Sequence, residues 1–566
     1  MSEGVAGAAP QTSLRLILAP ALAVQVLLIV LVCLVVGPLG WDDGAITLAF
    51  SRTFALTGRI ALTPQSEQVE GFSSVAWFMI NTLTARAGLG FLGAVAAAQA
   101  MAGATFLAAT ALLALIGRRV GLRPGSLAAA VWIFALAGPV LAEIAAGMEM
   151  GLLCASGLAL VYTLYIRPNW VWAALATIVF LTARFEAALY FAVFLGPLLT
   201  RGRWRTFLLM AAFGLAVFAA EEGWRWVRFA DWLPNTVRAK MWPPYSGGGL
   251  SDAILSRAAA LFEPTVAALP LLAILAVLGI VRGGGGIRWT PPSAISPLWI
   301  IAAPIAAVEL FGLVGGRNAY GALGRMQLLA LPFVLITAGL AFDALTPDLP
   351  GLRRRLILIL AAALSIETSA FISAQPTLTA LRTPRPLGDD LGVTPANYRI
   401  TGSVADDLRR RLELPRIVFM TPDIGGAALC CDNLRIVDLG MLANRRLARS
   451  GYSAIAEVLA AERPDVVEAH EVWARSSGVL SLPAFEAGYT ALMAGRTRLY
   501  LRNDHARALV AEGLAAPCSL ADAGCRQKAL YDHRGLFPPP YGPEDDLAFL
   551  RGGGFLLLTD AARIAP

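Results

Sequence analysis

The strongest constraint on the fold is a series of long apolar segments that recurs through the first two thirds of the sequence. About eleven of these segments are candidates for membrane-crossing helices by length and apolar content. They are Leu14–Leu39, Leu92–Ile116, Leu127–Val140, Gly151–Ile166, Val171–Thr182, Ala187–Leu199, Phe207–Ala220, Val266–Val281, Leu298–Val314, Met326–Phe342 and Leu356–Phe371. A soluble chain of 566 residues is not expected to be 57% hydrophobic and only 15% charged. We therefore predict a polytopic α-helical membrane protein.

Basic residues predict the orientation of these helices. Arginine residues cluster after every second predicted span, and cytoplasmic loops are enriched in Arg and Lys. The clusters are Arg15, Arg118 with Arg119, Arg167, Arg201 with Arg203, Arg282 with Arg288, and Arg353 to Arg355. We predict a cytoplasmic amino terminus and an exported region after Ser373. These clusters and anionic membrane lipids also explain a pI of about 9.3. No nucleic-acid partner is expected, because no basic stretch alternates with exposed aromatics.

The composition changes after the last apolar segment. Residues 1–373 are predicted to form the membrane domain, 374–399 a Pro-rich linker, and 400–566 an exported α/β domain. The predicted strands are Arg416–Met420, Leu434–Asp438, Val466–His470, Thr497–Arg502 and Gly554–Leu558, and the predicted helices are Val404–Leu412 and Ser453–Glu462.

Four of the six cysteines lie in this predicted exported domain. Cys518 and Cys525 flank a short polar loop and could pair in an oxidising compartment. Cys430 and Cys431 are adjacent, and a disulfide between neighbouring residues is strained, so we expect two separate thiols there.

Acidic, basic and aromatic residues accumulate in the loops that are predicted to face outward. Asp42 and Asp43 follow the first apolar segment directly and begin a polar stretch that we predict to be a loop up to Ser74. The other candidates in these loops are Glu70, Glu149, Arg184, Glu186, Asn235, Lys240, Trp242, Tyr245, Arg317 and Arg325. Carboxylates suit a general base, guanidinium and ammonium groups suit a phosphate, and aromatic rings suit a sugar. Together they indicate transfer of a sugar from a lipid phosphate to a hydroxyl.

Several short motifs occur in an order that resembles one enzyme group. They are Trp41-Asp42-Asp43, Val69 to Ser74, Gly147-Met148-Glu149, Thr182 to Glu186, Leu233 to Thr236 with Lys240, Asp423 to Ala427, and Ile436 to Leu442. This order resembles bacterial GT-C glycosyltransferases, and most closely the group of the mycobacterial terminal arabinofuranosyltransferase. The sequence departs from that group at Ala183, Phe185 and Met150.

The resemblance implies a GT-C fold with a C-terminal exported α/β domain, in the bacterial plasma membrane, with its active site facing the periplasm or exterior. It implies an inverting transferase with a polyprenyl-phosphate sugar donor and a cell-envelope glycan or glycolipid acceptor. Asp42 or Asp43 would be the base. Lys240, Arg317, Arg325 and Arg184 would bind the donor phosphate. Glu70, Glu149, Glu186, Asn235, Trp242, Tyr245, Asp423 and Asp438 would bind substrate.

The sequence leaves several alternatives open. The transferred sugar is a pentofuranose such as arabinofuranose, or a hexose. A divalent cation, Mg²⁺ or Mn²⁺, at the Asp pair is compatible with the carboxylates but is not required by them. Rival functions are a transporter or flippase of lipid-linked sugars, and a polysaccharide polymerase. A transporter is expected to carry internal repeats and mid-membrane acids, and neither is found in the sequence.

Overall fold

The computed structural model describes most of the chain, and everything below refers to that part. The described residues are 13–37, 42–245, 254, 268–282, 295–315, 328–346, 350–373, 394–495, 497–529, 549 and 554–559.

A helical bundle occupies the first two thirds of the described chain. Its helices are α1 (Ser13–Leu31), α2 (Asp42–Thr57), α3 (Val75–Ala85), α4 (Phe91–Arg119), α5 (Pro124–Ala135), α6 (Gly138–Ala146), α7 (Met150–Val161), α8 (Trp170–Ala183), α9 (Ala187–Thr200), α10 (Trp204–Phe229), α11 (Asn235–Ala239), α12 (Leu269–Arg282), α13 (Ile295–Gly315), α14 (Leu331–Leu345) and α15 (Gly351–Ser373). Short π-helical turns, Val32–Val36 and Tyr162–Ile166, extend α1 and α7.

The described parts of the predicted apolar segments are almost entirely helical, although Leu127–Val140 crosses the break between α5 and α6. Within the described residues, 5 helices are long and apolar enough to cross a membrane, and the chain is thus a multi-pass membrane protein. They span Leu14–Leu34, Phe91–Arg119, Pro124–Ala146, Trp204–Phe229 and Leu328–Leu345. Several further apolar helices are shorter, so a total of about eleven spans stays a prediction.

The predicted polar loop from Asp42 to Ser74 is wrong in its first half. Residues Asp42–Thr57 form α2, whose first turn carries both acids. Carboxylates in a first turn interact favourably with the positive end of the helix dipole. Most of the helix is buried, which its mixed composition does not indicate. Ser74 then caps α3, because its Oγ accepts a hydrogen bond of 3.1 Å from the Trp77 amide.

Aromatic and aliphatic side chains fill the centre of the bundle. Phe106, Phe134, Phe180, Phe194 and Phe333 are completely buried in one continuous apolar cluster. The rings of Phe180 and Phe194 lie 5.4 Å apart, and Phe194 meets Phe333 edge to face at 6.3 Å. This packing fixes the helices that carry the polar loops at one end of the bundle.

The C-terminal domain is a mixed sheet of 7 strands covered by helices. Its strands are β1 (Ile417–Thr421), β2 (Leu434–Asp438), β3 (Val466–Val467), β4 (Tyr489–Ala494), β5 (Thr497–Arg502), β6 (Ala515–Ser519) and β7 (Gly554–Leu558), in the order β2-β1-β3-β5-β4-β7-β6. Its helices are α16 (Pro395–Arg411), α17 (Ile424–Cys430), α18 (Arg445–Ser450), α19 (Ile455–Glu462), α20 (Glu471–Ser477), α21 (Pro483–Gly488), α22 (Asn503–Ala511) and α23 (Ala523–Ala529).

The order of the strands places two loops with predicted site residues side by side. Strand β1 pairs in parallel with β2, and Thr421 lies opposite Asp438 in the register. Because the carboxyl ends of parallel strands meet at one edge of a sheet, Asp438, the last residue of β2, and Asp423, two residues after β1, lie at the same edge. The helix α16 begins at Pro395, inside the stretch predicted to be a linker.

The cysteine predictions have opposite outcomes. Cys518 and Cys525 form a disulfide, as their spacing allows. The expectation of separate thiols at Cys430 and Cys431 is wrong, since the structure joins these neighbours in a disulfide at the end of α17. The β-like backbone of Cys431, which ends the helix there, brings the two side chains together.

The C-terminal domain packs directly on the bundle through a second apolar cluster. Ile46 and Phe50 of α2 share this cluster with Ile424 and Ala427 of α17 and Ile436 of β2. Burial of apolar surface stabilises the contact by roughly 25 cal/mol per Å².

A glycine in the loop before α3 permits the closest approach within this cluster. A Cβ added to Gly71 would lie 2.6 Å from the Phe50 ring and 3.2 Å from the Ala443 side chain. A larger residue there would push the C-terminal domain away from α2.

Candidate active site

The polar end of the bundle is assembled around the start of α2. A Cβ added to Gly44 would lie 1.9 Å from the Ala146 carbonyl oxygen. The helix α2 therefore packs against the turn before Glu149 so closely that only glycine fits at position 44. The Trp77 indole N–H donates to the Gly147 carbonyl at 3.1 Å. These contacts bring the beginnings of α2, α3 and α7 to one place.

Asp42 is buried beneath the C-terminal domain. Its side chain is only 3% exposed, and its two oxygens accept hydrogen bonds from the backbone amides of Gly425 (2.8 Å) and Gly426 (2.6 Å). Burial raises the pKa of the Asp42 carboxyl to about 7, although the two amide donors oppose this rise. Asp42 thereby joins the bundle to the amino-terminal end of α17.

Asp43 occupies the next position of the same turn and is half-buried. Successive residues of a helix point in directions about 100° apart, so the two carboxylates face different surroundings. The structure thus separates the two acids that the sequence presents as one pair.

Two helix junctions supply an ion cluster beside this turn. Arg184, at the end of α8, donates to Glu149 at 2.5 Å and to Glu186. Arg184 and Glu149 are almost completely buried. Lys240, which follows α11, lies close enough to Glu186 to interact electrostatically with it. Of the predicted donor-binding cations, Arg184 thus contacts Glu186 directly and Lys240 acts on it through charge.

A second ion cluster surrounds Arg225 in α10. Arg225 is 1% exposed and holds Glu70 through two hydrogen bonds, of 2.6 and 3.2 Å. It also donates to Glu221, at 2.8 Å, and to Glu222. Its guanidinium group lies over the Phe185 ring, 5.7 Å from the ring centre. Phe185 is the residue between Arg184 and Glu186 in the sequence. The two ion clusters are therefore adjacent.

The predicted substrate-binding residues of the loop around α11 contact the C-terminal domain. Asn235 donates to the carbonyls of Met441 and Leu442, at 3.0 and 2.8 Å. The Trp242 indole donates to a carbonyl of α18, and the Tyr245 hydroxyl donates to the carbonyl of Gly440. The structure thus places these three side chains at the interface between bundle and domain.

Asp438 organises the loop that receives these contacts. Its carboxylate accepts hydrogen bonds of 2.6 Å from the amides of Gly440 and Ala443, and its side chain is fully buried. Burial raises the pKa of Asp438 to about 7 against the lowering effect of these amide donors. Asp438 therefore shapes the loop that contacts Asn235 and Tyr245.

Asp423 directly precedes α17, the helix whose Gly425 and Gly426 amides donate to Asp42. It contacts His470 Nε2 at 3.2 Å, and the other ring nitrogen of His470 lies 2.6 Å from Glu468. Burial, only partly offset by the nearby imidazole, raises the pKa of the Asp423 carboxyl well above its usual range. Although burial alone would lower it, the carboxylates of Glu468 and Asp423 raise the pKa of His470 to about 10.

Two predicted site residues, Arg317 and Arg325, lie outside the described residues. The divalent cation that the sequence allows at the Asp pair stays a prediction; each oxygen of Asp42 accepts one amide hydrogen bond in this structure.

The main residues that the sequence interpretation missed are Arg225, Glu468 and His470. Arg225 lies within an apolar helix, where a buried ionisable residue is a reason to look for a site. His470 is one of only 3 histidines in the chain and follows Glu468 by two positions. That pattern is a signal, but it is a weak one without the fold.

No known protein family matches the sequence, and no curated protein matches it. Among solved structures, ArnT from Cupriavidus metallidurans aligns in its apo state with 15% identity and a TM-score of 0.42, over 78% of this chain and 79% of that one. The same protein bound to undecaprenyl phosphate aligns with 16% identity and a TM-score of 0.40, over 78% and 80%.

The oligosaccharyltransferase from Archaeoglobus fulgidus, tethered to an acceptor peptide, aligns with 11% identity and a TM-score of 0.42. The alignment covers 86% of this chain and 74% of that one. Similarity of this degree leaves the reaction of this chain to be argued from its own residues.

Proposed function

We propose that this protein is a GT-C-type glycosyltransferase that moves a sugar from a polyprenyl-phosphate donor to a glycan or glycolipid hydroxyl at the membrane surface. The transferred sugar is a pentofuranose such as arabinofuranose, or a hexose. The acceptor belongs to the bacterial cell envelope, and the site faces the periplasm or exterior of the plasma membrane.

The different surroundings of the two neighbouring acids carry this proposal. Both oxygens of Asp42 accept hydrogen bonds from backbone amides of the C-terminal domain, whereas Asp43 is half-buried at the next position of the same helical turn. We assign Asp43 as the general base and Asp42 as the residue that positions it. A carboxylate held at the rim of a membrane bundle suits abstraction of a proton from an alcohol.

In the proposed reaction, the acceptor oxygen attacks the anomeric carbon as Asp43 takes the hydroxyl proton. A C–O bond forms to the acceptor, and the bond between the anomeric carbon and the phosphate oxygen breaks with inversion. The lipid phosphate leaves with the electron pair of that bond and gains a negative charge.

Cations near the site would stabilise the leaving phosphate. Arg184 contacts the Glu186 carboxylate and Lys240 interacts with it electrostatically, while Arg317 and Arg325 are assigned the same role from the sequence. Charge-assisted hydrogen bonds from such groups are stronger than neutral ones and strengthen as charge develops on the phosphate. The carboxylates of Glu70, Glu149 and Glu186 would keep these cations in position and accept hydrogen bonds from sugar hydroxyls.

The C-terminal domain would hold the acceptor over this site. Asp423 and Asp438 follow neighbouring strands on the side of the domain that faces the bundle. The loop residues Asn235, Trp242 and Tyr245 would contribute by holding the domain in place, since their polar groups bind its backbone.

A comparison of Asp43→Asn with Asp42→Asn tests the assignment. The assay uses purified protein, synthetic polyprenyl-phosphate arabinofuranose or hexose donors, and membrane glycolipid as acceptor. Asp43→Asn should lower kcat by about 100-fold or more with unchanged thermal stability, in line with the contribution of a general base. Asp42→Asn should instead lower the melting temperature, because one amide would then face an NH₂ group.

The exposed Asp432, which pairs with Arg52 at 2.8 Å, provides the control. Asp432→Asn should leave the transfer rate unchanged. If Asp43→Asn transfers sugar at the wild-type rate, Asp43 is not the general base. If the wild type transfers sugar from none of the donors, the proposed reaction is wrong.

A further inference from the structure

A compact group of polar side chains lies inside the C-terminal domain, directly behind Asp42. Asp423, Glu468 and His470 each offer one ligand atom, and these atoms all lie within 4.8 Å of one another. Glu468 and His470 are buried, and the Asp423 side chain is 13% exposed. One edge of the group, at the Asp423 side chain, is therefore near solvent, although the Oδ2 atom of Asp423 is itself buried.

Hydrogen bonds orient the histidine of this group. Glu468 Oε1 lies 2.6 Å from His470 Nδ1, and the other oxygen of Glu468 accepts a hydrogen bond of 2.7 Å from the Thr421 hydroxyl. This arrangement directs His470 Nε2 toward Asp423 Oδ2, at 3.2 Å. Histidine ligands of metal ions are usually oriented in this way by a carboxylate on the opposite ring nitrogen.

The charges of the group are not balanced by the protein. Asp42, Asp423 and Glu468 bring three carboxylates together, and in the part of the chain that is described none of them pairs with an arginine or lysine. Their partners are one imidazole, one hydroxyl and two backbone amides. Buried carboxylates in such excess are stabilised either by protonation or by a bound cation.

A buried tyrosine provides an independent indication of a missing partner. Tyr398, in α16, is 2% exposed, and its hydroxyl lies beside Asp423 and near Glu468 and Asp42. Among the described atoms, none completes a hydrogen bond with this hydroxyl by distance and angle, although it lies close enough to Asp423 to interact with it, and Asp423 Oδ2 has only the ion-pair contact with His470 Nε2. Buried polar atoms without partners are rare and often face an ion or water.

We propose that Asp423 Oδ2 and His470 Nε2 bind a divalent transition-metal ion, Zn²⁺ or Mn²⁺, with Glu468 holding the histidine. Two ligands at about 2.1 Å from one ion and about 100° apart are separated by about 3.2 Å, the distance observed here. The mixture of imidazole and carboxylate favours these ions over Mg²⁺ and Ca²⁺, which prefer oxygen ligands alone. Water at the open edge and the Tyr398 hydroxyl complete the coordination.

The ion would stabilise the segment that binds Asp42. Asp423 directly precedes α17, whose amides at Gly425 and Gly426 donate hydrogen bonds to the Asp42 carboxylate of the bundle. Bound metal therefore fixes the contact between the domain and the bundle. This site is separate from the metal allowed by the sequence at the Asp pair, and its occupancy does not depend on the proposed transferase reaction.

Metal analysis of the full-length protein in detergent tests the proposal. The protein carries no histidine tag, is stripped with EDTA, and is then titrated separately with Zn²⁺, Mn²⁺, Mg²⁺ and Ca²⁺. Bound metal is measured by elemental mass spectrometry and stability by thermal unfolding. We expect uptake of one Zn²⁺ or Mn²⁺ per chain and a higher melting temperature than in the stripped protein.

Variants locate the ion within the chain. His470→Gln should abolish uptake, and Glu468→Gln should weaken it by about 10- to 100-fold, as loss of an orienting carboxylate does. His505→Gln is the matched control, since His505 contacts Asp465 instead, and should bind metal like the wild type. Bound Co²⁺ in the wild type should show an absorption spectrum that Asp423→Asn changes.

Two results would overturn the site. One is a stripped wild-type protein that takes up neither Zn²⁺ nor Mn²⁺. The other is equal uptake by the wild type and His470→Gln. The wild-type measurement decides the question even if a variant fails to fold, and it needs neither sugar donor nor acceptor.

Discussion

The two buried acidic regions of this protein hold their carboxylates by different means. In the bundle, Arg184 and Arg225 each bind two or more carboxylates directly. Under the C-terminal domain, Asp42 and Asp423 are held by backbone amides and one imidazole. A guanidinium group remains charged at every accessible pH, so the first region is a fixed ion cluster. The second can take up a proton or a cation, and its geometry depends on the docked domain.

The largest expected effect is the loss of Arg225. Arg225→Met would leave Glu70, Glu221 and Glu222 together without their common partner. Breaking a buried ion pair by removing one member costs about 3–5 kcal/mol. We expect a large fall in the melting temperature in detergent. Arg228→Met, which removes an exposed arginine of the same helix, should change it little. Equal stability of the two variants would contradict the fixed ion cluster.

A smaller effect is expected from crowding the amide contact to Asp42. A Cβ at Gly425 would lie 2.4 Å from the Asp42 carbonyl oxygen and 2.8 Å from its Oδ2. Gly425→Ala should therefore displace α17 from α2, at a cost of about 1–3 kcal/mol for overpacking. Limited proteolysis between the bundle and the domain should become faster.

The control for this variant lies in the same domain. An added Cβ at Gly488 meets no atom within 4 Å, so Gly488→Ala should behave like the wild type. Wild-type protease resistance and transfer activity in Gly425→Ala would show that the amide contact is not needed for docking.

The smallest effect is expected at Asp231, whose two arginine partners, Arg238 and Arg449, are partly exposed. Asp231 receives hydrogen bonds from Arg238 and Arg449, and although burial alone would raise its pKa, these partners lower it to about 2. Its contribution is thus present above pH 4 and is lost as the pH falls toward 2. Asp231→Asn should lower stability at pH 7 by about 0.2–1 kcal/mol, less in high salt.

Thermal unfolding at several pH values tests this contribution. The difference between the wild type and Asp231→Asn should shrink as the pH falls toward 2, because the wild-type carboxyl becomes increasingly protonated. A constant difference from pH 7 to pH 2 would mean that the ion pairs at Asp231 do not contribute.

The sequence alone determined which segments are helical and where most strands of the C-terminal domain lie. Apolar runs of membrane length and alternation of strand residues are local signals, so Leu434–Asp438 and Thr497–Arg502 could be located without the fold. The adjacent acids Asp42 and Asp43, and the loops with Glu149 and Arg184, were likewise visible as candidates.

The tertiary structure decided how these residues are used. The partners of Asp42 are Gly425 and Gly426, more than 380 positions away along the chain, and no local pattern predicts that contact. The helix α2 formed within a predicted loop because the C-terminal domain buries its apolar face, and packing overrides composition there. Asp423, Glu468 and His470 come together only because β1 and β3 lie side by side in the sheet. Sequence patterns report local preference and polarity, whereas burial and long-range hydrogen bonds determine which carboxylates are held and which can react.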